Sequence, residues 1–140
     1  DIQVADDVFQ MLSETNCDLT MSGRALAARP WMLWQVGERL GLAAPLGRDG
    51  GKAPKTPLEE GAEYGRALLH FIDLCEESFL PDLALRKIRF YIRTTQVWLL
   101  YGHSLMALSM KVQNLFELRE KVRDFFEGPH EMVSRTELRQ

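Results

Sequence analysis

The sequence predicts an all-α protein: a helical bundle of five or six helices with a long central apolar helix. Apolar residues recur at spacings of three and four through most of the 140 residues, which is the period of amphipathic helices. The composition, 46% hydrophobic with a net charge of −3, is typical of a globular protein. A chain of this length can bury one substantial core, so we interpret residues 1–140 as a single domain.

A first short amphipathic helix is predicted over residues 2–13. Its apolar positions are separated by three or four residues: Ile2, Ala5, Val8, Phe9 and Leu12. The polar stretch "SETNCDLTMSG" that follows is typical of a loop.

Pro30 divides the next helical stretch, "RALAARPWMLWQVGERLGL", because proline is tolerated best in the first turn of a helix. The helix after it is expected to bury Leu33, Val36 and Leu40 and to end near Gly41. Trp31 and Trp34 are large apolar groups and are expected to be packed.

Residues 41–57, "GLAAPLGRDGGKAPKTP", contain four glycines and three prolines. This composition predicts a flexible connection between two helical hairpins. A ligand lid or a phosphate loop is the alternative, but "GRDGGK" lacks the GxxxxGK[ST] spacing, so it fails as a phosphate loop.

The clearest local signal is "TPLE" at Thr56–Glu59, where a Thr N-cap, a Pro in the first turn and a Glu at the third position form a capping box. The helix that starts there has a packing seam spaced by three and four residues: Gly65, Leu68, Ile72, Cys75 and Phe79. Pro81 disfavours helical geometry at Leu80, so the helix is expected to end just before it.

Asp82 is a good N-cap for the next helix, which is predicted to run over residues 82–110 and to form the core hairpin with residues 56–79. Residues 94–110 contain no formally charged side chain, so this part is expected to be the central buried element or to be half covered by a second copy of the protein. A bend is expected between Gly102 and Asn114, because an unbroken helix to residue 127 would span about 70 Å. Gly128-Pro129 ends the last helix, and residues 130–140 are predicted to be a polar C-terminal tail that frays.

Four cations open the central helix: Arg86, Lys87, Arg89 and Arg93. No acidic residue lies between Asp82 and Glu117, so the helix cannot neutralise them itself. One interpretation is that Glu76 and Glu77, at the end of the preceding helix, fold back beside them. The other is that the four cations bind an acidic or phosphorylated partner; on an acidic protein they are weak support for nucleic acid.

Trp98, His103 and Met106 are the candidates for lining a small apolar pocket, because a buried imidazole requires a hydrogen-bond partner or a ligand. No recognisable catalytic, cofactor or metal-ligand motif occurs in the sequence, so we expect neither an enzyme nor a cofactor or metal site. The neutral stretch is too short and too polar for a membrane span. Cys17 and Cys75 form no motif, which favours an intracellular, reducing compartment, cytoplasmic or nuclear.

Two segments, "EYGRALLHFIDLCEESF" and "LFELREKVRDFFEG", resemble helical-hairpin adaptor modules of the TPR or microtubule-interacting-and-transport kind. The resemblance covers under a third of the chain and implies a helical fold that binds proteins, but it assigns no binding residue here. The function predicted from the sequence is a non-catalytic interaction, scaffold or adaptor domain that uses an inter-helical groove or a self-association face. The alternative is a small-molecule sensor with an apolar pocket between helices.

Overall fold

The computed structural model describes residues 1–137, which form seven α-helices. Their bounds are α1 Ala5–Thr15, α2 Arg24–Ala28, α3 Met32–Arg39, α4 Pro57–Ser78, α5 Pro81–Thr95, α6 Gly102–Lys111 and α7 Leu115–Phe125, with a 3-10 turn at Gln96–Trp98 between α5 and α6. These residues contain no β-strand, so the all-α prediction is confirmed. The number of helices exceeds the predicted five or six because the chain is interrupted more often than its periodicity indicates.

Helix α4 begins at the predicted capping box. The Thr56 hydroxyl accepts the Glu59 amide at 3.2 Å, and the Glu59 carboxylate accepts the Thr56 amide at 3.0 Å. Pro57 occupies the first turn, where its missing N–H costs no helical bond. These contacts fix the start of the longest helix in the described chain.

Helices α4 and α5 form a hairpin that packs against α7 and, through α5, against α6. The core between them consists of almost fully buried residues: Leu68, Ile72, Cys75, Ile88, Ile92, Leu105, Leu118 and Val122. The predicted seam is buried as far as Cys75, whereas Phe79 is 38% exposed at the tip of the hairpin.

Residues 82–110 do not form the predicted long central apolar helix; they form α5, the 3-10 turn and α6. The chain leaves helical geometry after Trp98, and Tyr101 has a positive φ of 59° before α6 starts. The break is held by bonds from the C-terminal segment: the Leu100 amide donates to the Glu131 carbonyl at 2.8 Å, and the Val133 amide donates to the Trp98 carbonyl at 2.7 Å. A second interruption, Val112 to Asn114, separates α6 from α7 and lies within the predicted window for a bend.

Helix α3 buries a different face from the predicted one. Leu33 is 68% and Leu40 is 61% exposed, whereas Trp31 and Met32 are buried. The Trp31 indole N–H donates to the Glu60 carboxylate at 3.0 Å. The start of α3, where Trp31 and Met32 are buried, is therefore the part packed against the bundle, and Leu33 and Leu40 face solvent.

Residues 130–137, here termed the strap, cross the molecule from the end of α7 to the N-terminus. The Met132 amide donates to the Pro57 carbonyl at 3.0 Å, and the Met132 side chain is buried. Near its end the Thr136 amide donates to Gln3 Oε1 at 3.0 Å, and Gln3 Nε2 donates back to the Thr136 carbonyl at 3.1 Å. The described part of the predicted fraying tail is therefore built into the fold; residues 138–140 lie outside the described residues.

Arg29 joins three parts of the chain. Its side chain is fully buried, forms an ion pair with Glu60 on α4 and donates to the Val133 carbonyl in the strap, while its Nε atom has no hydrogen-bond partner. Glu60 also accepts a bond from Gln35 at 2.9 Å. These contacts connect α2, α3, α4 and the strap on one side of the bundle.

The Gly/Pro-rich connection of residues 41–57 is attached to the helices at its second half. The Ala53 amide donates to Glu38 at 2.8 Å, and Gln35 donates to the Pro54 carbonyl at 2.7 Å. Ala53 and Pro54 are buried, whereas Leu46 is fully exposed.

Candidate functional site

The outer face of α5 carries an apolar stripe. Leu83, Phe90 and Val97 follow one another at intervals of seven residues, and they are 38%, 58% and 42% exposed. Residues seven apart in an α-helix lie within about 20° of each other around its axis. The stripe therefore runs along the solvent side of α5 and continues into the 3-10 turn.

Cations flank this stripe on both sides. By helical position, Arg86 and Arg93 lie on one flank and Lys87 on the other, and all three are exposed. The Arg93 guanidinium lies 5.3 Å from the centroid of the Phe90 ring, and the Lys87 ammonium lies 4.7 Å from that of Phe79. Cation–π contacts of this kind hold charged groups beside aromatic surface. We term the stripe together with Arg86, Lys87 and Arg93 the α5 face.

Arg89, the fourth predicted cation, has a different role. It is only partly exposed, and its guanidinium donates to the carbonyl oxygens of Ser109 at 3.0 Å and Val112 at 2.8 Å. Carbonyls at the C-terminus of a helix have no intrahelical partner, and a guanidinium satisfies them well. Arg89 therefore caps α6.

The acidic neighbours expected to neutralise the cations are engaged elsewhere or unconnected to them. Arg119 on α7 donates to Glu76 at 2.5 Å and to Asp73 at 2.9 Å. None of the ion pairs within residues 1–137 involves a cation of the α5 face or Glu77. The α5 face is thus a positive surface on an acidic protein.

A groove of about 700 Å³ lies between α2 and α5, beside the apolar stripe. Its walls are formed by Arg24, Ala27, Phe90, Thr94, Thr95, Val97, Trp98 and Glu137. The Tyr91 hydroxyl donates to the Ala27 carbonyl at 2.8 Å, which holds α2 against α5. Burial raises the pKa of Tyr91 to about 12, so the hydroxyl keeps its proton at neutral pH.

The three predicted pocket residues are not brought together. Trp98 lines the groove, is 1% exposed and donates its indole N–H to Gln3 at 3.1 Å. His103 is exposed, with its ring edge-on to Tyr101 at 6.3 Å, and Met106 packs against the core. The turn after Trp98 separates them, because it places His103 and Met106 on α6.

Two further cavities, of about 580 and 610 Å³, flank the 41–57 connection. Several of the charged groups that line them are paired within the molecule: Arg39 with Asp6, Lys55 with Glu38, and Arg48 and Arg66 with Glu63. These ion pairs contrast with the cations of the α5 face, which have no carboxylate partner within residues 1–137.

The cations of the α5 face were identified from the sequence, whereas Leu83, Val97 and Ala27 were not. Leu83 and Val97 lie seven residues on either side of Phe90, a spacing that is visible in the sequence. No such spacing identifies Ala27, because its place in the groove depends on how α2 docks on α5.

Comparison with protein families, curated proteins and solved structures finds no match to this chain. Within residues 1–137, no helix combines the length and apolar character needed to cross a membrane. The same residues contain no cluster of His, Cys, Asp and Glu arranged to hold a metal ion.

Proposed function

We propose that this protein is a non-catalytic interaction domain that binds a partner protein through the α5 face and the adjoining groove. The observation that carries the proposal is the exposed apolar stripe flanked by cations without intramolecular carboxylate partners. Aromatic and Arg side chains contribute much of the binding energy at protein interfaces. Covering Phe90 would remove apolar surface from water, at a gain of roughly 25 cal/mol per Å².

The surroundings of the reactive side chains support a non-catalytic role. Burial raises the pKa of the Cys75 thiol, which disfavours the nucleophilic thiolate. The His130 ring is stacked on Phe125 with centroids 4.0 Å apart, and its Nε2 lies 2.6 Å from the Phe125 carbonyl. Both cysteines are free, which supports an intracellular, reducing compartment as part of this proposal.

Site-specific cross-linking tests the docking surface. A photoreactive phenylalanine analogue is placed at position 90, and the matched control carries it at Leu46, which is fully exposed in the 41–57 connection. After irradiation in cells, we expect discrete protein adducts from position 90 and none of the same mass from position 46.

Equal adducts from both positions, or none from position 90, would contradict the proposal. An adduct formed only with a second copy of this chain would identify the α5 face as a self-association face. Mass spectrometry of the adducts distinguishes these results.

A small apolar ligand is the second candidate function, favoured by the volume of the groove. About 700 Å³ lies within the usual range for ligand pockets, and Trp98 supplies an aromatic wall. Apolar fragments are expected to raise the melting temperature of the wild-type protein and not that of Ala27→Phe, which narrows the groove. If both proteins respond alike, the groove is not the ligand site.

A further inference from the structure

The shape of the α5 face restricts what its partner can be. From Leu83 to Val97 the stripe covers 15 residues, or 14 steps of 1.5 Å, which is about 21 Å. An amphipathic helix can lay its apolar face along such a stripe and into an adjoining groove, with apolar side chains spaced by three, four and seven residues as its anchors. A partner helix of about four turns would cover the stripe.

The charges restrict it further. Arg86 and Arg93 on one flank and Lys87 on the other border the stripe, so they can pair with charged residues at the edges of a helix that covers it. The chain is acid-free from Leu83 to Phe116, so no carboxylate on α5 or α6 after Asp82 offsets them. Complementary partner residues are therefore Glu and Asp.

The same charges disfavour two other occupants. A second α5 placed on the first would bring Arg86, Lys87 and Arg93 against their own copies, and like charges across an interface are repulsive. Nucleic acid is disfavoured because the three cations do not form a continuous basic patch: an exposed apolar stripe separates them, and the protein has a net charge of −3.

The groove supplies a place for one larger partner side chain. It adjoins Phe90 and Val97, so a residue projecting from a helix on the stripe can enter it. Ala27 and Trp98 also line the groove, so its lining is largely apolar and favours an apolar group at that point.

Resting on the function proposed above, we infer that the partner of the α5 face is an acidic amphipathic helix. Its apolar side pairs with Leu83, Phe90 and Val97, and one large apolar side chain enters the groove between α2 and α5. Its carboxylates meet Arg86, Lys87 and Arg93.

A charge-exchange binding experiment tests the inference. The probes are two stapled helical peptides of about 18 residues, long enough to cover the stripe, with leucines spaced by three and four residues and either Glu or Lys beside them. Binding is measured by fluorescence anisotropy at low and high salt. The variants are R86E/K87E/R93E and Phe90→Ala. The control, K52E/K111E/K121E, makes the same change in net charge at exposed positions elsewhere.

Wild type is expected to bind the Glu peptide and to lose affinity as salt rises, because exposed ion pairs are screened. We expect R86E/K87E/R93E to lose at least about tenfold in affinity for the Glu peptide and to gain binding of the Lys peptide. Phe90→Ala is expected to weaken binding without changing its salt dependence, while the control variant stays close to wild type. Circular-dichroism melting curves verify that each variant is folded.

The inference is overturned if the Glu and Lys peptides bind wild type equally, if neither binds, or if the control variant loses as much affinity as R86E/K87E/R93E. Adducts at position 90 together with no Glu-peptide binding would overturn the acidic helix and leave the docking surface standing. A dimer by light scattering that Phe90→Asp converts to monomer would make a second copy the occupant.

Discussion

At the scale of single residues, Asp7 connects the N-terminal residues with the strap through its carboxylate. It is only 8% exposed; its Oδ2 accepts the amides of Gln3 at 2.7 Å and Val4 at 3.2 Å, and its Oδ1 pairs with Arg135 in the strap. Burial by itself would raise the pKa of Asp7, but the Gln3 amide, Arg135 and the Val4 amide outweigh it and hold the pKa below its ordinary value. Asp7 thus stabilises the fold as a carboxylate.

Replacing Asp7 with Asn should lower the free energy of unfolding at neutral pH by about 1.5–3 kcal/mol, the range for hydrogen bonds to charged groups. Because the folded pKa is lowered, the contribution is complete above the ordinary aspartate pKa, about 3.9, and is lost as pH falls through the lower folded value. Urea unfolding should show the stabilities of wild type and Asp7→Asn converging with acidification. Asp6→Asn, at an exposed carboxylate paired with Arg39, is the control and should cost less than about 1 kcal/mol.

At the scale of elements, the strap passes so close to α4 that a helical glycine is required there. A Cβ added to Gly61 would lie 1.8 Å from the carbonyl oxygen of His130. Gly37 in α3 is the opposite case, since its Cβ would meet only the Leu42 side chain at 3.7 Å. Both glycines lie in helices, but only Gly61 has the backbone of another segment packed against it.

Alanine substitution should therefore change stability in opposite directions at these two glycines. Gly37→Ala is expected to stabilise by about 0.5–1 kcal/mol, as alanine usually does inside a helix. Gly61→Ala should destabilise by about 1–3 kcal/mol, because the strap must move to relieve the overlap. Thermal unfolding measures both, and a stabilised Gly61→Ala would show that the strap does not lie against α4 in solution.

The elements also show which parts of the fold are visible in the sequence. Helix α4 was predictable because its capping box, Thr56 to Glu59, is local, and its seam is periodic. The break after Trp98 was not, because the bonds that hold it come from Glu131 and Val133, more than thirty residues away. The cations of the α5 face were predictable from their clustering, whereas the exposure of Phe90 depends on that break and on how α2 docks.

At the scale of the whole molecule, Arg29 and Glu60 connect α2, α3, α4 and the strap through a buried ion pair. Removing one partner of a buried pair leaves the other charge without its counterion, at a cost of about 3–5 kcal/mol. The pair thus links the strap to the helical bundle.

A double-mutant cycle measures this coupling. Arg29→Ala is expected to lower the free energy of unfolding by about 3–5 kcal/mol, and the loss in the double variant with Glu60→Gln should be smaller than the sum of the single losses. Chemical denaturation of the four proteins provides the cycle. Additive losses would mean that the two side chains act independently.

The bonds between Gln3 and Thr136 bring the two ends of the described chain side by side. Because these ends are adjacent, a circular permutation could place the first and last residues elsewhere without changing how the helices pack. Joining the ends of the described chain with a short linker and opening it near Leu46, which is fully exposed to solvent, would keep α5 and its apolar stripe in a protein with a new first residue.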